Sequence, residues 1–400
     1  MVLIVLMHIV TFSRLYPNEC QPQNGLFVEQ RLKHLIASGI ISAKVVAPIP
    51  WFPFKRKCSR LYGKYASVKK LEMREGLEIY HPRFLHIPKI TVFLTPLFMS
   101  ISVLSQFKRI IENGYDFDVI DAHYFYPDGV AAVILGKLLN KPVVITARGT
   151  DINILPNNAV IRRQIVWAAK NSNALITVSK KLKDKLVALG VTREKITILK
   201  NGVDQELFYP VNKDYAFQKI NRVKPYILSV GNLVDEKGHE LAIRALMYIP
   251  NLEYLIVGDG PLKSKLIELS VKLGLQDRVV FIGAIKQEKL KYYYSAAEVF
   301  LFPSTREGMP NAVIESIACG TPVVATDVGG IPEIINDDSI GVLVNKRVPK
   351  LISAAVLKVI NAKLDRNKIW QYAKTYKWDE TTNGQINIFE QLKYTAHKTK

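Results

Sequence analysis

Two glutamates, Glu307 and Glu315, stand eight positions apart in the run PSTREGMPNAVIE that covers residues 303–315. The apolar segment Val299–Phe302 leads into this run, and a helix is expected to begin at Pro310 or Asn311, since proline suits a first turn and asparagine a cap. Glu315 then sits about one turn inside that helix, within reach of a vicinal diol such as ribose. Glu307 lies in the preceding loop, where a carboxylate accepts hydrogen bonds from sugar hydroxyls. Gly308 lets backbone approach a ligand, and the free amides at a helix start attract phosphate. By itself the pattern also fits a capping loop with two ordinary carboxylates.

Three further loops share this character. GNLVDEKG at 231–238 sets Lys237 before a glycine just after the apolar run Tyr226–Val230, so that an ammonium reaches past exposed amides towards a diphosphate. GDGP at 258–261 follows Leu252–Val257, and VGGIPE at 328–333 follows Pro322–Ala325. Each alone is a common turn, but four of them at strand ends in one region describe a single binding mouth. No Gly-x4-Gly-Lys-Ser/Thr run occurs, so ATP-hydrolysis chemistry has no support.

The elements that must position these loops are short apolar runs alternating with helical stretches. Met1–Val10, Lys44–Ala47, Val119–Ala122, Pro142–Thr146, Ala174–Val178 and Ile196–Leu199 read as buried strands, with periodic segments such as Val28–Ala37, Gly129–Leu139 and Lys180–Leu189 between them. A second series runs through Tyr226–Val230, Leu252–Val257, Arg278–Ile282, Val299–Phe302, Pro322–Ala325 and Gly341–Val344. The expected fold class is α/β, two Rossmann-like lobes joined near 205–224. The first lobe covers 1–205 and the second 206–374, and a C-terminal helix at about 375–400 packs back on the first. In open sheets of this kind ligands bind beyond the carboxyl ends of the strands.

Length and composition agree. At 400 residues the chain exceeds what one core usually carries, and 48% hydrophobic with 22% charged residues exclude a disordered or fibrous chain. Three cysteines exclude a disulfide scaffold, and none has metal-ligand spacing. Met1–Val10 lacks the flanks of a signal peptide and reads as a first strand. The apolar stretch Ile90–Leu104 is interrupted by Thr, Ser and Pro and falls short of the ~18 residues of a membrane span. The expectation is a cytoplasmic protein, soluble or peripheral at the inner face of the cell membrane.

The formal net charge is +20, and it is unevenly spread. Residues 1–200 hold 29 Lys and Arg against 13 Asp and Glu, whereas 201–350 hold 17 against 18. The basic half is expected to face something anionic. Its densest cluster, Lys55, Arg56, Lys57, Arg60, Lys64, Lys69 and Lys70, follows Trp51-Phe52-Pro53-Phe54, a mixture suited to a lipid headgroup region. Single-stranded nucleic acid or a merely solvated loop would also fit, but no nucleic-acid-binding signature appears, and none is expected to bind.

The run FPSTREGMPNAVIESIACGTPVVATDVGGIPE at 302–333 resembles the donor-binding core of glycosyltransferase family 4, retaining enzymes of GT-B fold whose two lobes face a central cleft. VGNLVDEKG (230–238), IVGDGP (256–261) and NGVD (201–204) extend the resemblance over nearly the whole chain. It implies that Lys237 binds the donor diphosphate, Glu315 the ribose and Glu307 the transferred sugar. Gly258 and the backbone of Gly308, Met309, Pro310 and Asn311 complete the cradle. It further implies an acceptor-side glycine-rich loop at Gly25 and a histidine near the reacting centre, His123 in DAHYFYPDG (121–129); unaided, His123 also reads as a core histidine.

Two positions depart from the family's pattern. Asn232 stands where many members carry arginine, and Arg148 in TARGTD (146–151) where many carry histidine, so Arg148 is expected to supply the missing positive charge. These features resemble most the subgroup that builds cell-surface polysaccharides such as teichuronic acid. The resemblance thus implies transfer from a nucleotide sugar, a UDP-sugar first, to a glycan or polyprenyl-diphosphate-linked acceptor, with no metal and no cofactor. A GT-B-fold nucleotide-sugar epimerase or hydrolase, and a non-catalytic anion-binding protein, remain the alternatives.

Overall fold

The computed structural model describes residues 6–51, 65–87 and 91–398. The basic positions Lys55, Arg56, Lys57, Arg60 and Lys64 lie outside the described residues. The chain divides into two compact units, Met1–Leu199 with Asp379–Lys400, and Lys200–Trp378. The division falls a few residues from the positions 205 and 374 read in the sequence.

Unit 1 is built around central strands that are buried and mostly apolar, as a sheet covered on both sides requires. Its strands are β1 (Met7–Phe12), β2 (Ile41–Val46), β3 (Ile49–Trp51), β4 (Leu71–Arg74), β5 (Leu77–Tyr80), β6 (Arg83–Leu85), β7 (Val119–His123), β8 (Val143–Ala147), β9 (Ala174–Thr177) and β10 (Ile196–Ile198). Among the described residues, eight form one sheet in the order β10-β9-β8-β7-β1-β2-β5-β4, parallel except for the β4–β5 hairpin. The strands β3 and β6 pair separately. The order reverses direction between β1 and β7, and this is where a doubly wound sheet opens a ligand crevice.

One face of this sheet is covered by the helices Leu26–Ala37 and Trp378–Lys398. Val28, Leu32 and Leu35 of the first, and Ile386 and Phe389 of the second, share a core with Ile9, Val45, Val144 and Ile176. Burying Phe389 alone contributes about 2 kcal/mol. The C-terminal helix is therefore part of the core of unit 1.

Unit 2 repeats the plan with β11 (Tyr226–Val230), β12 (Glu253–Val257), β13 (Val279–Gly283), β14 (Val299–Phe302), β15 (Val323–Thr326) and β16 (Gly341–Val344). All pair in parallel, in the order β13-β12-β11-β14-β15-β16, so the reversal lies between β11 and β14. The polar stretch before β11 is not a plain linker. Asn212 accepts hydrogen bonds from the amides of Asp214 and Tyr215 and starts the helix Lys213–Lys219. Tyr215 and Phe217 of that helix meet the rings of Tyr292 and Tyr226 edge-on. Among the described residues, no helix is long and apolar enough to cross a membrane.

Candidate active site

In unit 2 the loops after β11 and β14, the two strands flanking the reversal, bring Lys237 and Glu307 together. The ammonium of Lys237 donates to Oε1 of Glu307 at 2.7 Å and lies 4.8 Å from the centre of the Phe302 ring. Phe302 ends β14, so strand, aromatic and lysine are fixed as one group. Both charged side chains keep some exposure, 25% for Lys237 and 11% for Glu307.

Glycines set how closely these loops approach one another. A Cβ on Gly238 would lie 2.2 Å from the carbonyl oxygen of Pro303, joining the β11 loop to the β14 loop. A Cβ on Gly258 would lie 1.9 Å from the oxygen of Gly231, where φ of Gly258 is +140°. The amide of Leu233 donates to Asp259 O at 3.0 Å, and Gly330 donates to Gly308 O at 2.9 Å. The four loops thus form one backbone-to-backbone assembly around Lys237 and Glu307. Asn232 is exposed on its rim.

The helix after β14 runs Asn311–Ala318, with Pro310 at its cap in extended conformation. Asn311 does not cap it. Its Oδ1 accepts from Nδ2 of Asn201 at 2.8 Å, and Met309 O takes a longer contact of 3.4 Å from the same amide. This part-buried pairing outcompetes the local cap that the sequence suggested. Gly308, Met309 and Pro310 are buried beneath it. Glu315, one turn further on, is 9% exposed and accepts a hydrogen bond from the Tyr294 hydroxyl at 3.0 Å. Burial pushes its carboxyl up to about 7, against the opposing hydrogen bonds from Tyr294 and Gln287.

In unit 1, Gly25 closes the loop after β1, His123 ends β7 and Arg148 directly follows β8. Gly25 precedes the helix Leu26–Ala37 at φ +73°, and a Cβ there would lie 2.1 Å from Leu15 O, so the loop after β1 closes on itself only with glycine. That loop is tied to the one after β7: the Ser13 hydroxyl donates to His123 O, and the Arg14 amide donates to the buried carboxylate of Asp128 at 2.6 Å.

His123 ends β7 and is 1% exposed. Its Nε2 lies 3.1 Å from Asp121 Oδ2, and its Nδ1 lies 2.8 Å from Arg148 Nη2. Burial holds the imidazole down to about 4, and Arg148 pushes the same way while Asp121 opposes. Burial pushes Asp121 up, but His123, Arg31 and Arg148 together hold its carboxyl below the ordinary value. Arg148 is half-buried, and its guanidinium lies 5.1 Å from the Phe27 ring centre.

Residues 68–207 match the model of Glycosyltransferase Family 4, and residues 211–376 match that of Glycosyl transferases group 1. An uncharacterized glycosyltransferase of Methanocaldococcus jannaschii is 30% identical over 79% of this chain and 85% of its own. The chain is a family 4 glycosyltransferase.

A putative teichuronic acid biosynthesis glycosyltransferase of Bacillus subtilis is 27% identical over 98% of both chains. Anabaena HepE, solved in complex with UDP and glucose, aligns over 98% of this chain and 99% of its own with a TM-score of 0.69 at 17% identity. That likeness is one of fold, the GT-B arrangement of two Rossmann-like domains.

Within this family 4 chain, the structure places Lys237, Glu307, Gly258, Gly308, Met309, Pro310, Asn311, Glu315 and Asn232 in unit 2, and Gly25, His123 and Arg148 in unit 1. It adds partners that the sequence reading passed over. Phe302 lies under Lys237, Tyr294 meets Glu315, and Asn201 braces Asn311. The last carried a signal, because it opens the NGVD run.

Proposed function

We propose that this glycosyltransferase moves a sugar from a UDP-sugar, with retention at the anomeric carbon, to a glycan or polyprenyl-diphosphate-linked acceptor in cell-surface polysaccharide synthesis. The observation that carries the reading is the meeting of Lys237 and Glu307 where the sheet of unit 2 reverses. As the bond to the anomeric carbon breaks, positive charge develops on the sugar and negative charge on the departing diphosphate. Lys237 faces the diphosphate, and the amides of Gly308, Met309 and Asn311 add to its field in a fixed geometry that needs no reorganisation. Glu307 accepts hydrogen bonds from the transferred sugar and Glu315 from the ribose hydroxyls.

In unit 1 the Arg148 guanidinium lies 2.8 Å from Nδ1 of His123, a positive charge beside the histidine that the family resemblance assigns to the sugar. The relative named for teichuronic acid biosynthesis and the UDP and glucose held by HepE support the acceptor and donor classes. The excess of 29 basic over 13 acidic residues in 1–200 suits an acceptor carrying phosphate at an anionic membrane surface. Charge reversal of Lys55–Lys57 is expected to weaken binding to anionic vesicles and leave nucleotide affinity intact.

The reading is tested by thermal stabilisation with UDP, GDP, ADP and TDP and their common sugars, beside Glu315→Ala. A ligand at 100 times its Kd adds about 2.7 kcal/mol. Stabilisation by UDP and UDP-sugars that Glu315→Ala abolishes is the expected result. Stabilisation by another nucleotide alone would overturn the UDP assignment, and an equal response in wild type and variant would overturn the site.

A further inference from the structure

The carboxylate that orients His123 is itself held from a distant part of the chain. Gln385, on the C-terminal helix Trp378–Lys398, is fully buried, and its Nε2 lies 3.0 Å from Asp121 Oδ2. Its Oε1 lies 2.6 Å from Nε of Arg31, itself 1% exposed on the helix Leu26–Ala37.

The chemistry of the groups fixes the direction of every bond in this chain. A guanidinium only donates, so Arg31 requires the carbonyl side of the Gln385 amide, and the amide NH2 therefore faces Asp121. At the other end Arg148 donates to Nδ1 of His123, which leaves the ring proton on Nε2, donated to the same Asp121 oxygen. Arg31, Gln385, Asp121, His123 and Arg148 thus form one continuous series in which no contact sets donor against donor. Both nitrogens of His123 are used inside the protein. Arg148, half-buried, is the member through which the series meets solvent.

An amide in this place is costly if it only fills space, because burying an unsatisfied polar group is unfavourable and an apolar side chain would pack as well. We propose that Gln385 is a positioning residue: through Asp121 it fixes the ring tautomer and orientation of His123, and through His123 the guanidinium of Arg148. The C-terminal helix thereby becomes part of the transfer site of unit 1. The consequence for transfer rests on the reading of His123 and Arg148 given above, while the orientation itself does not.

Gln385→Met keeps the volume and removes both hydrogen bonds. With the full-length protein labelled with 15N-histidine, and His123→Asn used to assign the resonances, the wild type is expected to show His123 as a single Nε2–H tautomer. Gln385→Met is expected to shift those resonances and mix the tautomers. The same variant should lower kcat for UDP release from UDP-glucose roughly tenfold while the KM for UDP-glucose stays within about twofold, since misplacement rather than lost donor binding is the defect.

Unchanged His123 resonances in folded Gln385→Met overturn the proposal. Shifted resonances with unchanged turnover, matched by unchanged turnover in His123→Asn, uphold the orientation and remove the role given to His123. Should Gln385→Met fail to fold, Gln385→Glu retains the contact to Arg31 and loses the amide donor facing Asp121, and it is judged by the same resonances.

Discussion

Tyr294 donates its hydroxyl to Oε2 of Glu315 at 3.0 Å, and both side chains are buried. A carboxylate so placed costs stability whenever it is ionised. Burial raises its value from 4.5 to about 7, so between those values the unfolded chain releases a proton that the folded chain retains. Stability from this group is therefore present below about pH 4.5 and falls as pH rises through 7, by about 1.4 kcal/mol per pH unit inside the window. Glu315→Gln should be more stable than wild type in urea unfolding at pH 8, and the gain should shrink by pH 5. The same variant should bind the nucleotide more weakly. A stability difference that does not change with pH would contradict the assignment.

The Lys237–Glu307 pair should show coupling in a double-mutant cycle. Each alanine variant leaves a partly buried charge without this partner, and the double variant removes both, so an interaction of about 1 kcal/mol is expected. Lys237→Ala should also weaken UDP binding roughly tenfold to a hundredfold by calorimetry. Undiminished UDP affinity would show that the diphosphate lies elsewhere.

Gly258 and Gly274 both have positive φ, at +140° and +67°, but only the first faces another backbone. Gly258→Ala should cost more than about 3 kcal/mol, because the new Cβ would sit 1.9 Å from Gly231 O and push the loop after β11 away. Gly274→Ala meets open space and should cost about 1 kcal/mol of backbone strain alone. Chemical denaturation of the two variants side by side gives the comparison.

His123 should make unit 1 sensitive to acid. Its value falls from 6.5 to about 4, so between these values the unfolded chain binds a proton that the folded chain refuses. Stability is full above pH 6.5 and declines as pH drops towards 4, by about 3 kcal/mol in total. His123→Asn should lack this part of the decline, as read from the difference between the two unfolding curves at pH 7 and pH 5. Parallel curves would mean that His123 is charged in the folded protein or exposed.

Much of the unit 2 site was legible because its determinants are local. A strand, a loop and a helix start place Glu307 and Glu315 within one stretch of sequence, and the glycine-bearing loops announce close approach. What was not legible depends on partners far along the chain. Asn311 looks like a cap, and only Asn201, 110 residues earlier, gives its carbonyl another donor. Tyr294 lies in a run of three tyrosines, Tyr292 to Tyr294, and burial selects one of them for Glu315. Gln385 stands 264 residues from Asp121, in a helix whose pattern shows an apolar face but not the buried amide within it. The helix Lys213–Lys219 was hidden by its polar composition, since its stability comes from aromatic edges supplied by other elements.

The return of the last helix to unit 1 sets an order of assembly during synthesis. Unit 2 is one uninterrupted stretch, 200–378, and emerges from the ribosome whole. Unit 1 emerges first but lacks Ile386 and Phe389 of its core until the helix that follows unit 2 appears. Domains usually mature in the order in which they are made. Here the later-made unit is the first that can finish, and the earlier one waits, with part of its apolar face uncovered, for the helix Trp378–Lys398.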